Sequence, residues 1–204
     1  ILGSAMCVRG VQQQPFGRGS AFCYDMVSLL PMKPATPEGL VCAHSPDSDD
    51  AYMFYALATH KVRSGAVEFR HVLEDIETLN RKALEGVYEL TAVSYHAYPY
   101  ICDKYALMAS GSSVGDGYGP LVVSAHPMTP EDLRGKRIAV PGKMTTAYLA
   151  LKLLEPDFRE EVVPFDRILD AVKERSVDAG LVIHEGQLTY SSGGFHAVVD
   201  LGKW

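Results

Sequence analysis

Short apolar runs alternate with helix-like segments along most of this 204-residue chain, and that alternation restricts the fold more than any other feature. The runs that predict strands cover residues 40–43, 67–72, 90–93, 121–124, 137–140, 161–165, 179–183 and 198–201. The segments that predict helices cover residues 51–58, 74–84, 95–100, 147–154 and 168–173. Repeated strand–helix units with right-handed crossovers give a mainly parallel sheet. The sequence therefore predicts an α/β fold.

Two stretches interrupt this alternation. Residues 1–39 contain a glutamine run, several glycines and three prolines without a clear period, which predicts an irregular leader. Residues 111–120 are rich in glycine and have two interpretations: a crossing between two lobes, or a plain surface loop. With a crossing, the predicted organisation is a first α/β lobe over residues 40–118, a second over 119–197, and a return crossover to the first lobe over 198–204.

The composition indicates which kinds of binding partner and which cellular compartment are expected for the chain. The net charge of -6 and the pI near 5.6 argue against a nucleic-acid partner bound through a broad basic surface. No stretch is long and apolar enough to span a bilayer, and residues 1–30 lack the features of a secretory signal. The cysteines lack metal-site spacing and are interpreted as reduced thiols, which predicts a cytoplasmic protein. Because the chain begins with Ile1, we expect a fragment or a processed form.

Polar residues follow several predicted strands at the point where each strand ends. Ser45 follows the first strand, Ser94 follows the third, and Thr145 and Thr146 follow the turn after Val140. Serine and threonine commonly cap helices at such positions. The free N–H groups of a helix N-terminus also suit a carboxylate or a phosphate. Several such ends facing one cleft predict a site for a small anionic molecule.

The strand predicted at residues 179–183 runs directly into His184 and Glu185. Ligands of open α/β sheets bind at the carboxyl ends of strands, and a histidine there can transfer protons near neutral pH. The residues alone leave two interpretations of His184. It is either a proton-transferring group or a strand-end side chain that hydrogen-bonds a backbone carbonyl.

Asp47, Asp49 and Asp50 form an acidic cluster, which we assign to the first turn of a helix rather than to a metal site. The cluster lacks the remaining ligands of a calcium loop. The seven histidines show no metal-ligand spacing either. The sequence therefore predicts no metal site.

Six motifs stand in order between residues 44 and 185. They are HSPDSDDAYMFYAL at 44–57, LEDIETLN at 73–80, SYHAY at 94–98, GPLVV at 119–123, VPG with TTAY at 140–148, and IHE at 183–185. Together they resemble the motifs of the 1,4-dihydroxy-6-naphthoate synthase family, from the futalosine route to menaquinone. The match covers about residues 40–204 without a large gap.

The resemblance implies a fold, a reaction and roles for particular residues. The fold is the two-lobed, periplasmic-binding-protein-like (type II) fold, with the site in the cleft between the lobes. The reaction is the conversion of cyclic dehypoxanthinyl futalosine, a small anionic carboxylate substrate, to 1,4-dihydroxy-6-naphthoate. It is a lyase-type reaction without cofactor or metal, and His184 would be its catalytic base. The implied substrate-binding residues are Ser45, Val93, Ser94, Thr145, Thr146 and Ala147.

Two features depart from the family pattern. Residues 1–39 match no part of the family that we recognise. Family members also continue beyond the position of Trp204, with helices that complete the first lobe. We therefore expect a C-terminally truncated chain whose first lobe is incomplete and whose synthase activity is low or absent. The sequence does not indicate an oligomeric state.

Two other functions fit parts of the pattern. A solute-binding protein of a transporter shares the fold and would use the same cleft, but it needs export or a lipid anchor. Chorismate dehydratase, a related enzyme of the same pathway, fits the Ser-Pro-Asp opening and the Ile-His-Glu strand end less well. The synthase is the first hypothesis, and these two are the alternatives.

Overall fold

The computed structural model describes residues 2–10, 39–183 and 186–204, which form ten strands and five α-helices. The strands are β1 (Leu2–Arg9), β2 (Leu40–His44), β3 (Phe69–Leu73), β4 (Leu90–Ser94), β5 (Tyr105–Gly115), β6 (Leu121–Ser124), β7 (Arg137–Val140), β8 (Arg159–Val162), β9 (Ala179–Val182) and β10 (His196–Asp200). The helices are α1 (Ser48–Ala58), α2 (Ile76–Glu85), α3 (Thr146–Leu154), α4 (Ile168–Lys173) and α5 (Gly186–Thr189). Among these described residues, no helix has the length and apolar character needed to cross a membrane.

The first sheet has the order β3-β2-β4-β1-β5. β2 pairs in parallel with β3 and β4, whereas β1 lies antiparallel between β4 and β5. The prediction of an irregular leader is therefore wrong for residues 2–9. The run Ala5, Met6 and Cys7 is buried, as expected of a central strand covered on both faces. This strand forms by pairing with strands far along the chain. Its own sequence shows no apolar periodicity that would predict a strand.

The second sheet has the order β10-β6-β9-β7-β8. β7 pairs in parallel with β8 and β9, whereas β6 is antiparallel to β9 and to β10. The prediction of a mainly parallel sheet is thus wrong, because one interior strand of each sheet, β1 in the first and β6 in the second, runs against both of its neighbours.

The glycine-rich stretch has two structural roles. Its first half, through Gly115, extends β5, and Gly111 adopts a φ of +78° where β5 passes over Met6. Residues 116–120 then lead from the first sheet to β6 of the second, as the lobe-crossing interpretation expects. The return crossover predicted from residue 198 is wrong for residues 198–200, because β10 pairs with β6 inside the second sheet.

The helices α2 and α3 have ends that the sequence encodes locally. α2 begins at Asp75, whose carboxylate accepts the Thr78 N–H at 3.0 Å, and ends at Gly86 with a φ of 69°. α3 begins at Thr145, whose hydroxyl accepts the Tyr148 N–H at 3.2 Å. The helix predicted over 95–100 is instead a 3-10 turn, Tyr98–Tyr100, where Pro99 cannot donate a backbone hydrogen bond.

Each lobe has its own hydrophobic core. In the first lobe, one cluster surrounds Val93 and Tyr105 and another surrounds Cys42 and Leu79. In the second lobe, one cluster surrounds Leu151 and the other surrounds residues 168 and 172 of α4. The two lobes are therefore separate packing units that meet along a cleft.

Candidate functional site

A cleft of about 360 Å³ lies between the lobes. The first lobe contributes Gly3, Ser4, Ser45, Asp47, Ser48, Asp49, Asp50, Ile76, Ser94, Ser113 and Gly115. The crossing segment contributes Tyr118, Gly119 and Pro120, and the second lobe contributes Thr145, Thr146, Ala147, Ile183, Gln187 and Leu188. Most of the sequence-predicted site residues therefore share one cavity.

The N-terminus of α3 forms the second-lobe wall of the cleft. The Thr145 hydroxyl donates to the Gly142 carbonyl at 2.9 Å and caps the helix, so this side chain serves the turn itself. The amides of Thr146 and Ala147, in the first turn, have no hydrogen-bond partner within the described part of the chain. Free N–H groups at the positive end of a helix suit a carboxylate.

Ser94 ends β4 on the opposite wall, where Asn80 of α2 holds it. The Asn80 side chain donates to the Ser94 hydroxyl at 3.0 Å and accepts the Ser94 N–H at 2.8 Å. Both residues are buried. Because the hydroxyl accepts from Asn80, its own proton is available to an acceptor in the cleft.

The Thr146 hydroxyl joins the two lobes. It donates to the Gly3 carbonyl at 3.0 Å and accepts the His96 backbone N–H at 3.3 Å. The His96 ring adds a hydrogen bond from Nδ1 to the Thr145 carbonyl at 3.2 Å. The hydroxyl proton of Thr146 is therefore engaged by the protein, which leaves the backbone amides as the donors that α3 offers a ligand.

Ser45 lines the cleft, but acidic neighbours occupy its polar groups. Its N–H donates to Asp50 at 2.7 Å, and its hydroxyl donates to Asp47. The helix cap is Asp47 rather than Ser45, since α1 begins at Ser48. This end of the cleft is consequently acidic, and Ser45 offers no free donor to an anion.

Behind Ser45 lies a pair of histidines. His44 Nδ1 donates to the Ser45 carbonyl at 3.0 Å, so His44 Nε2 accepts from His71 Nδ1 at 2.9 Å. His44 also stacks on Phe54 with ring centroids 4.2 Å apart. Burial lowers the pKa of His44, and the neighbouring His71 lowers it further, against the opposing effect of the Ser45 carbonyl. Burial also lowers the pKa of His71, so both rings favour the neutral form at pH 7. His71 Nε2 is buried without a partner among the described residues.

His184 and Glu185 lie outside the described residues. Ile183, immediately before them, and Gln187, shortly after them, both line the cleft. Val93 does not line it: its side chain is fully buried in the first-lobe core, and its backbone is paired with Ala5 of β1. Of the predicted residues, the structure therefore brings together Ser45, Ser94, Thr145, Thr146 and Ala147.

Three of the contributors that sequence reasoning missed are Gly3, Ser4 and Asn80. Gly3 and Ser4 fell within the stretch predicted to be irregular, yet Ser4 lies directly opposite Ser94 in the sheet. Asn80 had a detectable signal, because it interrupts the apolar stripe of α2 formed by Ile76 and Ala83 at helical spacing. A polar residue inside such a stripe needs a buried partner, and Ser94 is that partner.

A family model described as menaquinone biosynthesis matches residues 40–204. The chain belongs to this family. The relatives include a 1,4-dihydroxy-6-naphthoate synthase of Thermus thermophilus, 47% identical over 167 residues, which cover 82% of this chain and 60% of the relative. Another, from Streptomyces coelicolor, is 39% identical over 170 residues, with coverage of 80% and 59%. The chain thus spans about 60% of the length of these curated relatives.

Solved structures of similar proteins agree with the predicted fold. A protein from Archaeoglobus fulgidus superposes with a TM-score of 0.77 at 55% identity, covering 81% of this chain and 61% of that one. The alkanesulfonate-binding protein SsuA of Xanthomonas axonopodis superposes with a TM-score of 0.59 at 16% identity, covering 81% and 62%. At that low identity the likeness concerns the fold alone. It confirms the periplasmic-binding-protein-like fold.

Proposed function

We propose that this chain carries the cleft of a 1,4-dihydroxy-6-naphthoate synthase, which converts cyclic dehypoxanthinyl futalosine to 1,4-dihydroxy-6-naphthoate. The observation that carries the proposal is the shared cleft: Ser94, the free amides of Thr146 and Ala147, and Ile183 before His184 all line it. Family membership supports the same reaction. A cytoplasmic location is part of the proposal.

The charge distribution of the cleft orients the substrate in this proposal. The acidic end, with Asp47, Asp49 and Asp50, repels a carboxylate. The opposite wall offers the amides of Thr146 and Ala147 at the positive end of α3. The substrate carboxylate therefore binds at α3, within reach of the Ser94 hydroxyl, and its uncharged polar groups lie toward α1.

His184 acts as general base in this proposal, and Ser94 with the α3 amides fixes the substrate beside it. A general base must be neutral to accept a proton, so activity requires a pH at or above the His184 pKa in the complex. No cofactor or metal takes part in the proposed step. Removing the base alone would slow the chemical step while leaving the carboxylate contacts in place.

The test introduces His184→Gln into a family-length protein. We expect kcat for naphthoate formation to fall by about 100-fold or more, while the Kd for substrate, measured by calorimetry, changes less than about threefold. His126→Gln is the matched control, because His126 is exposed on the second lobe and does not line the cleft. Equal activity of the His184 and His126 variants would contradict the role of His184.

A solute-binding function is the second candidate, favoured by the fold that the chain shares with SsuA. It predicts tight binding of a carboxylate ligand without any turnover in the family-length protein. Naphthoate formation by that protein would reject this candidate, and binding without product would reject the synthase.

A further inference from the structure

α2 of the first lobe contacts the loop that leads into α3 of the second lobe. Glu77 of α2 is buried, and its Oε2 accepts the backbone N–H of Met144 at 3.0 Å. Its Oε1 accepts from Arg81 Nε at 3.2 Å, one turn along the same helix. The mechanism proposed above does not use this carboxylate, which does not line the cleft.

We infer that Glu77 is a positioning residue that fixes the two walls of the cleft relative to each other. The inference rests on the proposed function for its kinetic readout, whereas the geometry of the lobes tests it independently. Glu77 lies three residues before Asn80, which holds Ser94 on the first-lobe wall. One helix therefore sets the position of Ser94 and, through Met144, of the loop that starts α3.

The loop sits directly on the carboxylate. A Cβ added to Gly142 would lie 2.2 Å from Glu77 Oε2, so the backbone at Gly142 approaches Glu77 as closely as glycine allows. The position does not require a positive φ, so alanine there would displace the Glu77 side chain without straining the backbone conformation. Gly142 of the second lobe and Glu77 of the first lobe are therefore in direct contact.

Side-chain packing reinforces this contact. Met144 belongs to the second-lobe loop, yet its side chain packs against the first-lobe cluster around Val93 and Tyr105. Thr145, the next residue, holds the Gly142 carbonyl and caps α3. A shift of the loop is thereby transmitted to the Thr146 and Ala147 amides.

The geometric test measures the distance between the lobes without substrate. One spin label is placed on Cys102, which is exposed in the first lobe, and a second on Glu174→Cys in the second lobe, with Cys23→Ser. The buried thiols Cys7 and Cys42 react slowly because burial raises the pKa of each to about 12. We expect Glu77→Ala to broaden or shift the distance distribution by more than about 2 Å.

Two further variants separate the hydrogen bond from general destabilisation. Glu77→Gln keeps an acceptor for Met144 N–H and should retain the narrow distribution even if Glu77→Ala unfolds. Gly142→Ala should broaden the distribution in the wild-type background but have little effect beside Glu77→Ala, because the clash is then gone. Glu85→Ala, on an exposed position of the same helix, is the matched control.

The kinetic test follows naphthoate formation by the family-length protein. We expect Glu77→Ala to raise KM by about tenfold or more, with a smaller fall in kcat, because substrate binding needs both walls. A distance distribution and a KM that match those of Glu85→Ala would overturn the inference. A protein without turnover whose lobes still move apart in Glu77→Ala would support the inference and contradict the proposed function.

Discussion

The pair formed by His44 and His71, behind the cleft, links the folding stability of the protein to the geometry of the cleft. His44 donates a hydrogen bond to the Ser45 carbonyl and accepts one from His71. The turn at the start of the acidic wall is therefore stabilised by two neutral rings. Protonation of His44 makes its Nε2 a donor, so His71 must shift its own proton from Nδ1 to Nε2, which is buried without a partner among the described residues. Burial, and for His71 also the nearby His60, lowers the pKa of both rings. The hydrogen-bonded pair is therefore the form in which both histidine rings are neutral.

We predict that the free energy of unfolding falls as the pH drops below about 6.5. The folded pKa values of His44 and His71 lie below the unfolded value of 6.5. The unfolded chain consequently binds more protons between those two values, and protonation favours unfolding there. Each group can contribute at most about 1.4 kcal/mol per pH unit. Urea unfolding at pH 7 and pH 5 measures this loss.

His71→Asn provides the comparison for this prediction. Asparagine retains hydrogen-bonding capacity and does not titrate, so the variant should lose less stability between pH 7 and pH 5 than the wild type does. An equal loss in both proteins would show that the pair does not determine the pH dependence.

Among the elements, β1 connects the two walls of the cleft. It supplies the Gly3 carbonyl that accepts from Thr146, and it places Ser4 opposite Ser94. A Cβ on Gly3 would lie 1.8 Å from the Ser113 carbonyl oxygen of β5. β1 can therefore pass between β4 and β5 only if the residue at position 3 is glycine.

We predict that Gly3→Ala lowers the free energy of unfolding by about 1–3 kcal/mol, the usual cost of overpacking. The same variant should bind substrate more weakly, because β1 must move away from β5 and takes the Gly3 carbonyl with it. Chemical denaturation and calorimetry measure the two effects. Ser4→Ala adds no atom next to Gly3 and is the control for stability, whereas it is no control for binding because Ser4 lines the cleft. A Gly3 variant as stable as the Ser4 variant would contradict the close approach.

The elements also show what the sequence could predict and why the remainder was missed. The strands at Cys42, Val140 and Leu181 were predicted because each is a short buried run beside a helix-like segment. The α3 N-terminus was also predicted from local sequence, because Thr145 is a helix-capping residue directly before a helix-like segment. β1 was missed because its pairing with β4 and β5 is not visible in the strand itself. The mixed direction of both sheets likewise depends on distant partners.

At the scale of the whole molecule, two lobes with separate cores meet through a few polar contacts. Within the described ranges, the buried clusters of the first lobe and those of the second share no buried residue. Met144 crosses this division, because it lies in a second-lobe loop and packs on the first-lobe core. A defect inside one lobe should therefore remain largely within that lobe.

We predict that Leu151→Ala, in the fully buried centre of the second-lobe core, destabilises that lobe by about 2–5 kcal/mol. Amide hydrogen exchange should become faster in β7 and β9 and stay unchanged in β2 and β4. Leu153→Ala is the control on the same helix, since Leu153 is 67% exposed. Faster exchange throughout both sheets would contradict the independence of the lobes.

The central position of β1 also dictates the order of events during synthesis. Leu2 pairs with Gly115, and Val8 pairs with Leu90, so the first strand is made long before its partners. At about 5–20 residues per second, the ribosome takes several seconds to supply them. The complete first sheet can therefore form only after Gly115, at the start of the crossing to the second lobe, has been synthesised.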